Sequence, residues 1–348
     1  MRRGAALLAL VLSAPALRAQ APPGRPDSHR EEARVERVVV DAHVTDRRGE
    51  PMPGLTAADF LVKADGRRVP LESVEWVPAD TPELPAAYRL DAGAAGGGLT
   101  PAPPGRLIVF FFQTDYHYTR LVGLMRMSLQ ARHFLDGLLP TDRVAVVSYD
   151  SHLKLRQDFT SDRRKLDDAL FASIRTAEPA RDRDEYAPSL ASHFDFIGAR
   201  EASTPERGLY LLARALAPIP GGKSMLFFGW GLGTVGGLSG PNAVERRDYR
   251  AALHVLAAAR VNIFTLDVSE ADYHSLETSL QVTSDLTGGT YQKTHIFARA
   301  ALDRVSRAIA GRYVLVFVKP PGKRGEHSIE VSLTRRKGEV NARRYYDD

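Results

Sequence analysis

Cysteine is absent from the sequence. That excludes disulfides, thiolate-ligated zinc and thiol catalysis together, and in an oxidising compartment it removes any hazard of mispairing. Long apolar runs are also scarce. Beyond the first dozen residues none approaches the roughly 18 uninterrupted apolar residues that suggest a spanning helix, so no membrane span is expected in the mature chain. Gly-x-Ser-x-Gly, His-Glu-x-x-His and P-loop motifs do not occur, which removes the usual signatures of hydrolases and NTPases. Scattered Ser, His and Asp side chains make no triad without geometry.

A strong excess of one charge is missing as well. The 348 residues carry 47 basic and 42 acidic side chains, a formal net charge of +5. Three of the basic residues, Arg2, Arg3 and Arg18, lie in an N-terminal leader. There the apolar run Ala5 to Leu12 follows the two arginines, and Ala19-Gln-Ala21 offers small residues for cleavage. This is the pattern of a secretory signal peptide. Its removal leaves 44 basic against 42 acidic residues, a net charge of +2, so nucleic acid is not an expected partner. A secreted or periplasmic location follows.

What is present is organised in blocks. Residues 1–21 are the leader and 22–34 a polar, proline-containing spacer. Residues 35–78 form an N-terminal β module: Val38, Val40, Ala42 and Val44 alternate with mostly polar neighbours, and Phe60-Leu-Val62 and Val74 to Val77 are further strands. Residues 79–105, rich in Ala, Pro and Gly, form a linker. From 106 to 311 strands and helices alternate, which predicts a doubly wound, mostly parallel α/β sheet. Its strands are Leu107 to Phe112, Arg143 to Tyr149, Leu153 to Phe159 (in hairpin contact with the preceding strand), Ser224 to Phe228, Val261 to Val268 and Thr290 to Gln292. Helices are expected around Leu124 to Leu138, Leu166 to Ile174, Pro205 to Ala217, Val244 to Ala259 and Ala298 to Ala310. Residues 312–348 add strands at Tyr313 to Lys319, His327 to Leu333 and Ala342 to Tyr346. These are expected to complete a small β-sandwich-like module with the N-terminal strands.

The order apolar strand, Asp-containing loop, long helix, then Leu-Pro-Thr-Asp-Arg-Val-Ala-Val-Val-Ser-Tyr resembles the von Willebrand factor A fold. With the leader, the Val44 to Phe60 stretch VTDRRGEPMPGLTAADF and the C-terminal strands, the mature chain resembles the VWFA-related domain proteins of acidobacteria, a family of secreted proteins. In many von Willebrand A domains a metal-ion-dependent adhesion site (MIDAS) binds Mg²⁺. An Asp-x-Ser-x-Ser loop after the first strand, a loop Thr and an Asp after the fourth strand supply hard oxygen ligands. That edge is also where an open sheet leaves a crevice.

Carried onto this sequence, the pattern is broken. Two registers are open for the first loop: Gln113-Thr-Asp115-Tyr-His117 puts an amide at the leading carboxylate, while Asp115-Tyr116-His117-Tyr-Thr119 keeps it and places a histidine at a hydroxyl position. Thr204 is available as the loop threonine, yet Ser203-Thr-Pro-Glu206 reads first as a helix start, with a hydroxyl N-cap and Pro near N1. After the fourth strand the family pattern Ser-Asp-Gly is replaced by Gly229-Trp230-Gly231, and an indole offers a hard cation no ligand. Trp230 then caps the crevice, as a lid on the core or as a partner-facing anchor.

Two further patterns need weighing. Gly231-Leu-Gly233-Thr-Val-Gly236 satisfies G-x-G-x-x-G, but no helix can begin until about Asn242, so the glycines cannot cradle a pyrophosphate at a helix start. Asp-Tyr-His occurs at Asp115-Tyr116-His117 and again at Asp272-Tyr273-His274. The residue types suit Zn²⁺, but the spacing matches no known motif and the two loops need not meet. The charged run Arg181 to Glu185 sits in a long connection and reads as a solvated insertion.

The expectation is a secreted, non-enzymatic binding or scaffolding protein with a degenerate adhesion site. Its recognition surface comprises Asp115, Tyr116, His117, Trp230, Gly231, Asp272 and His274, and its partner is a protein ligand. No resident cofactor is expected. A metal-dependent adhesion module, using Asp115, His117 and Thr119 to hold Mg²⁺ or another divalent ion, is the alternative, and a hydrolase with an unrecognised site is the second.

Overall fold

The structure is a computed structural model and describes residues 36–80, 105–114, 117–175, 188–235, 243–244, 247–270 and 274–347. The expected leader and spacer, and nearly all of the expected linker, lie outside the described residues.

The chain begins with strands β1 (Arg37–Thr45), β2 (Phe60–Ala64), β3 (Arg67–Val69) and β4 (Leu71–Pro78). It continues through β5 (Leu107–Gln113), helix α1 (Tyr118–Asp136), the hairpin β6 (Arg143–Tyr149) and β7 (Leu153–Thr160), then α2 (Arg163–Ser173), α3 (Phe196–Glu201) and α4 (Pro205–Leu216). Next come β8 (Lys223–Gly229), the two-residue strands β9 (Thr234–Val235) and β10 (Ala243–Val244), α5 (Arg247–Ala258), β11 (Val261–Asp267), α6 (Glu277–Thr287), β12 (Tyr291–Lys293) and α7 (Ala298–Ala308). Strands β13 (Gly311–Val318), β14 (Glu326–Leu333), β15 (Glu339–Ala342) and β16 (Tyr345–Asp347) close it.

The central sheet runs β12-β11-β8-β5-β6-β7. Only β7 is antiparallel, turned back by its hairpin with β6. Unbroken apolar strands are what a sheet covered on both faces requires. Alternate residues of β5 serve opposite cores: Val109 and Phe111 join the layer of α4, α5 and α6, whereas Ile108, Phe110 and Phe112 join that of α1, α2 and α7. Aromatic stacks tie β5 to β8 on both faces, with Phe111 and Phe227 centroids 5.0 Å apart and Phe112 and Phe228 4.5 Å apart. Strand order reverses between β5 and β8, since the chain leaves β5 for β6 on one side and later returns to β8 on the other. A doubly wound sheet opens its crevice at that reversal, beyond the carboxyl ends of the two strands.

The terminal strands build two further sheets, β15-β1-β13-β4 and β16-β14-β2-β3. Their inner faces share one core that includes Val40, Val62, Tyr313, Phe317, Ile329 and Tyr346. The N-terminal and C-terminal strands therefore pair with each other, Val40 opposite Leu315 and Val62 opposite Val331. The other face of β1 turns Val39, Asp41 and His43 toward the α/β layers, where Asp41 meets Arg260 and His43 Nδ1 lies 3.0 Å from the Ala308 carbonyl.

Several expected elements change. Val244, placed in a helix by the sequence pattern, lies in β10, and the helix starts at Arg247. The single strand expected over Ala342 to Tyr346 is two strands in different sheets. Between them Arg344 donates its N–H to the Leu286 carbonyl, which turns the backbone out of the first ladder. Helices α3 and α6 and strand β3 were not foreseen. Among the described residues, no helix is long and apolar enough to cross a membrane.

Candidate functional site at the carboxyl edge

Strand β5 ends at Gln113 and strand β8 at Gly229, side by side at the switch point. The Gln113 side chain is buried, and its amide is fully engaged by the chain that leaves β8. Its Oε1 accepts from the N–H groups of Trp230 (3.1 Å) and Gly231 (3.3 Å), while its Nε2 donates to the Gly231 carbonyl at 2.7 Å. A carboxylate could make the first two contacts but not the third, because it has no donor. Position 113 thus fastens one loop of the edge to the other.

The loop after β8 is shaped around this grip. Gly231 has φ +136, and a Cβ there would stand 2.4 Å from the Cβ of Leu276. Only glycine meets both conditions. Beyond it the Leu232 N–H donates to Ser279 Oγ at 2.8 Å, and the Gly233 N–H donates to the buried Glu206 carboxylate. Gly231 therefore serves close backbone packing, and β9 follows at Thr234–Val235, so no helix starts in the described stretch 232–235.

Around this loop lies a crevice of about 600 Å³. Gln113, Trp230 and Gly231 line it together with Tyr149, Asp150, Ser151 and Ser203. Trp230 is half-buried, with its ring against the core on the α1 side and the Arg120 guanidinium 4.7 Å from its centroid. Asp150 accepts from Lys154 Nζ at 2.8 Å and from the Ser151 N–H. Burial alone would raise the Asp150 carboxyl, but these donors hold it below the ordinary carboxylate range. The wall is thus apolar and aromatic on one side, with the Asp150–Lys154 ion pair and hydroxyls on the other. Such a mixture suits contact with a polypeptide surface.

Trp230 and Gly231 line the crevice. Thr204 sits at the N-cap of α4, where its hydroxyl accepts from the Arg207 N–H at 3.2 Å. His117 occupies the N-cap position of α1 with Nδ1 3.1 Å from Thr119 Oγ1. Asp115, Tyr116 and Asp272 lie outside the described residues. His274 turns to Asp267 at the end of β11, with Nε2 2.9 Å from Oδ2. Sequence reasoning passed over Tyr149, Asp150 and Ser151. They follow the strand Arg143 to Tyr149, whose carboxyl end shares the same edge, so the signal was available. It also passed over Asp267 and Glu277, which flank His274.

No family model matches the chain, and no curated protein does. Solved structures of similar shape exist. A von Willebrand factor type A protein from Catenulispora acidiphila is 11% identical, with a TM-score of 0.40 over 86% of this chain and 74% of its own. An aerotolerance-related membrane protein from Bacteroides fragilis is 14% identical, with a TM-score of 0.40 over 59% of this chain and 98% of its own. Proximal thread matrix protein 1 from the mussel byssus, with a zinc-occupied MIDAS motif, is 12% identical, with a TM-score of 0.39 over 59% of this chain and 48% of its own. At these scores no residue role passes from them to this chain.

Proposed function

We propose that the chain is an exported, non-enzymatic binding or scaffolding protein whose carboxyl-edge crevice takes a protein ligand by contact, without an adhesion-site ion. The leader pattern in residues 1–21 supports export. The binding reading rests on one observation: the two positions that face each other across the switch point are Gln113 and Trp230, and both are committed to other work. The Gln113 amide holds the backbone of 230 and 231, and the Trp230 ring lies beneath Arg120. Mg²⁺ asks for near-octahedral hard oxygens with carboxylate support, and an amide engaged three ways beside an indole does not fit it. His117 and Thr119, from the alternative register, contact each other.

The crevice instead offers what protein recognition uses. It combines an aromatic flanked by arginine, a backbone loop pinned on both sides, and a polar rim of hydroxyls and the Asp150–Lys154 pair. The test is capture of the envelope partner by the purified protein, with cross-linking, in buffers with and without Mg²⁺. Capture is expected to be indifferent to Mg²⁺ and to Asp115→Ala, and to fall at least tenfold for Trp230→Ala with an unchanged circular dichroism spectrum. Saturable Mg²⁺ binding that disappears in Asp115→Ala overturns the proposal in favour of the metal-dependent module.

A further inference from the structure

One strand away from the crevice, three side chains with metal-ligating atoms converge. Asp267 ends β11, His274 follows in the next loop and Glu277 opens α6. One donor atom from each lies within 4.8 Å of the others. Asp267 and Glu277 are buried; His274 is partly so.

The hydrogen bonds account for every carboxylate oxygen except one. Asp267 Oδ1 accepts from the N–H of Ser269 (3.0 Å) and from its hydroxyl (2.7 Å). Asp267 Oδ2 faces His274 Nε2 at 2.9 Å and the Tyr291 hydroxyl at 2.9 Å. Glu277 Oε1 lies 3.1 Å from both Gln281 Nε2 and Lys293 Nζ. Glu277 Oε2 is buried and has no hydrogen-bond partner among the described residues. A helix N-terminus favours an acid at Glu277, but that leaves this oxygen without a donor. A buried carboxylate oxygen without one is costly.

We infer that Asp267, His274 and Glu277 form a binding site for a divalent transition-metal ion, of the Zn²⁺ class, at the carboxyl end of β11. An imidazole with two carboxylates is a mixed nitrogen and oxygen set, which suits Zn²⁺ and its transition-metal neighbours and not Mg²⁺ or Ca²⁺. Ligands bonded to one ion at about 2.0–2.2 Å stand about 3–3.5 Å apart. The 2.9 Å separation of His274 Nε2 and Asp267 Oδ2 is close to that spacing, and a small side-chain rotation of Glu277 brings in the third donor. On binding, the ion takes the place of the hydrogen between His274 Nε2 and Asp267 Oδ2, and the imidazole ligates as the neutral ring with its proton on Nδ1. Ser269 and Tyr291, both bonded to Asp267, orient the ligand from outside. The site is separate from the adhesion-site position between β5 and β8. It stands or falls independently of the partner proposed for the crevice.

The purified protein, stripped with chelator and dialysed, is titrated calorimetrically with Zn²⁺, and separately with Mg²⁺. Co²⁺ serves as the spectroscopic probe. One equivalent of Zn²⁺ is expected to bind, with Mg²⁺ silent and Co²⁺ giving the visible bands of a low-coordinate nitrogen and oxygen site. Outer-shell substitutions at metal sites cost about 10–100-fold in affinity. The isosteric Glu277→Gln and His274→Ala should therefore each weaken Zn²⁺ by at least about 100-fold, while melting as cooperatively as the parent. His254→Ala serves as control, because His254, Glu326 and Asp347 form the other cluster of this kind among the described residues. Absence of Zn²⁺ binding, binding unchanged in Glu277→Gln, or binding lost in His254→Ala alone overturns the inference.

Discussion

Arg260 grips Asp41 with two hydrogen bonds of 2.7 Å, from Nε to Oδ2 and from a terminal nitrogen to Oδ1, across 219 residues of sequence. Both side chains are buried, and Arg312 Nε adds a third contact at 2.9 Å. The pair joins the first strand of the sandwich to the turn that enters β11. Arg260 adopts φ +55 there, in the left-handed region, a backbone cost that the buried bidentate pair offsets.

Removing one partner of such a pair strands the other charge in the interior. Asp41→Ala is expected to cost about 3–5 kcal/mol of stability, read as a lower guanidinium midpoint with an unchanged slope. Burial would raise the Asp41 carboxyl, but the Arg260 and Arg312 guanidiniums hold it far below the usual carboxylate range. A carboxyl depressed in the folded state stabilises fully above its unfolded value near about pH 4, and this contribution drains away as pH falls below that. Melting temperature should therefore drop on acidification below about pH 4, and more gently in Asp41→Asn than in the parent.

Gln113 offers a second test. Gln113→Ala leaves the N–H groups of Trp230 and Gly231 and the Gly231 carbonyl without their partner, at an expected cost of about 1–3 kcal/mol. Gln113→Glu should be no milder, because it sets a carboxylate against the Gly231 carbonyl. Hydrogen exchange would register the loss as faster exchange at 230 and 231, with the β11 amides unaffected.

Gly123 permits the close approach of α1 to the end of β11. A Cβ at that position would stand 1.9 Å from the Val268 carbonyl oxygen, which is backbone and cannot turn aside. Gly123→Ala is expected to destabilise by about 1–3 kcal/mol, as overpacking does. Because α1 carries Arg120, the near-ultraviolet signal of Trp230 should change with it.

The chain holds two tryptophans, Trp76 in the sandwich and Trp230 in the crevice. In a Trp76→Phe background the emission reports the crevice alone. Arg120→Ala should alter that emission and cost about 0.5–1 kcal/mol, the usual worth of an exposed cation–π contact. An unchanged spectrum would show that Arg120 does not sit over the ring in solution.

The inner strands β5, β6, β8 and β11 were legible because both faces of each are largely buried, so a mostly apolar run was the pattern to find. Arg143 to Tyr149 agrees residue for residue. Helix α6 was not legible, since its sequence ETSLQVTSDLT buries Thr283, Ser284 and Thr287 by bonding their hydroxyls back to carbonyls of the preceding turn. A polar face of this sort carries no apolar period. Trp230 and Gly231 stood out as edge residues because they follow an obvious strand. The partnership of Gln113 with them spans 117 residues and depends on which two strands lie side by side. The meeting of Asp267, His274 and Glu277 was hidden for a different reason: the repeated Asp-Tyr-His pattern drew attention to pairing between loops, whereas His274 is satisfied within its own loop.

Leu55 donates its N–H to the Tyr313 hydroxyl, 258 residues downstream, and that hydroxyl in turn donates to the Met52 carbonyl. Every strand of the central α/β sheet is synthesised between those two points. The middle can therefore close while the opening strands still wait, because β1 gains its neighbours β13 and β15, and the β2–β3 hairpin gains β14, only when the C-terminal strands have emerged. Assembly order is written into the connectivity: the outer module is started first and finished last, and a chain stalled before Gly311 would present β1 as an open edge to whatever chaperone or neighbour reached it.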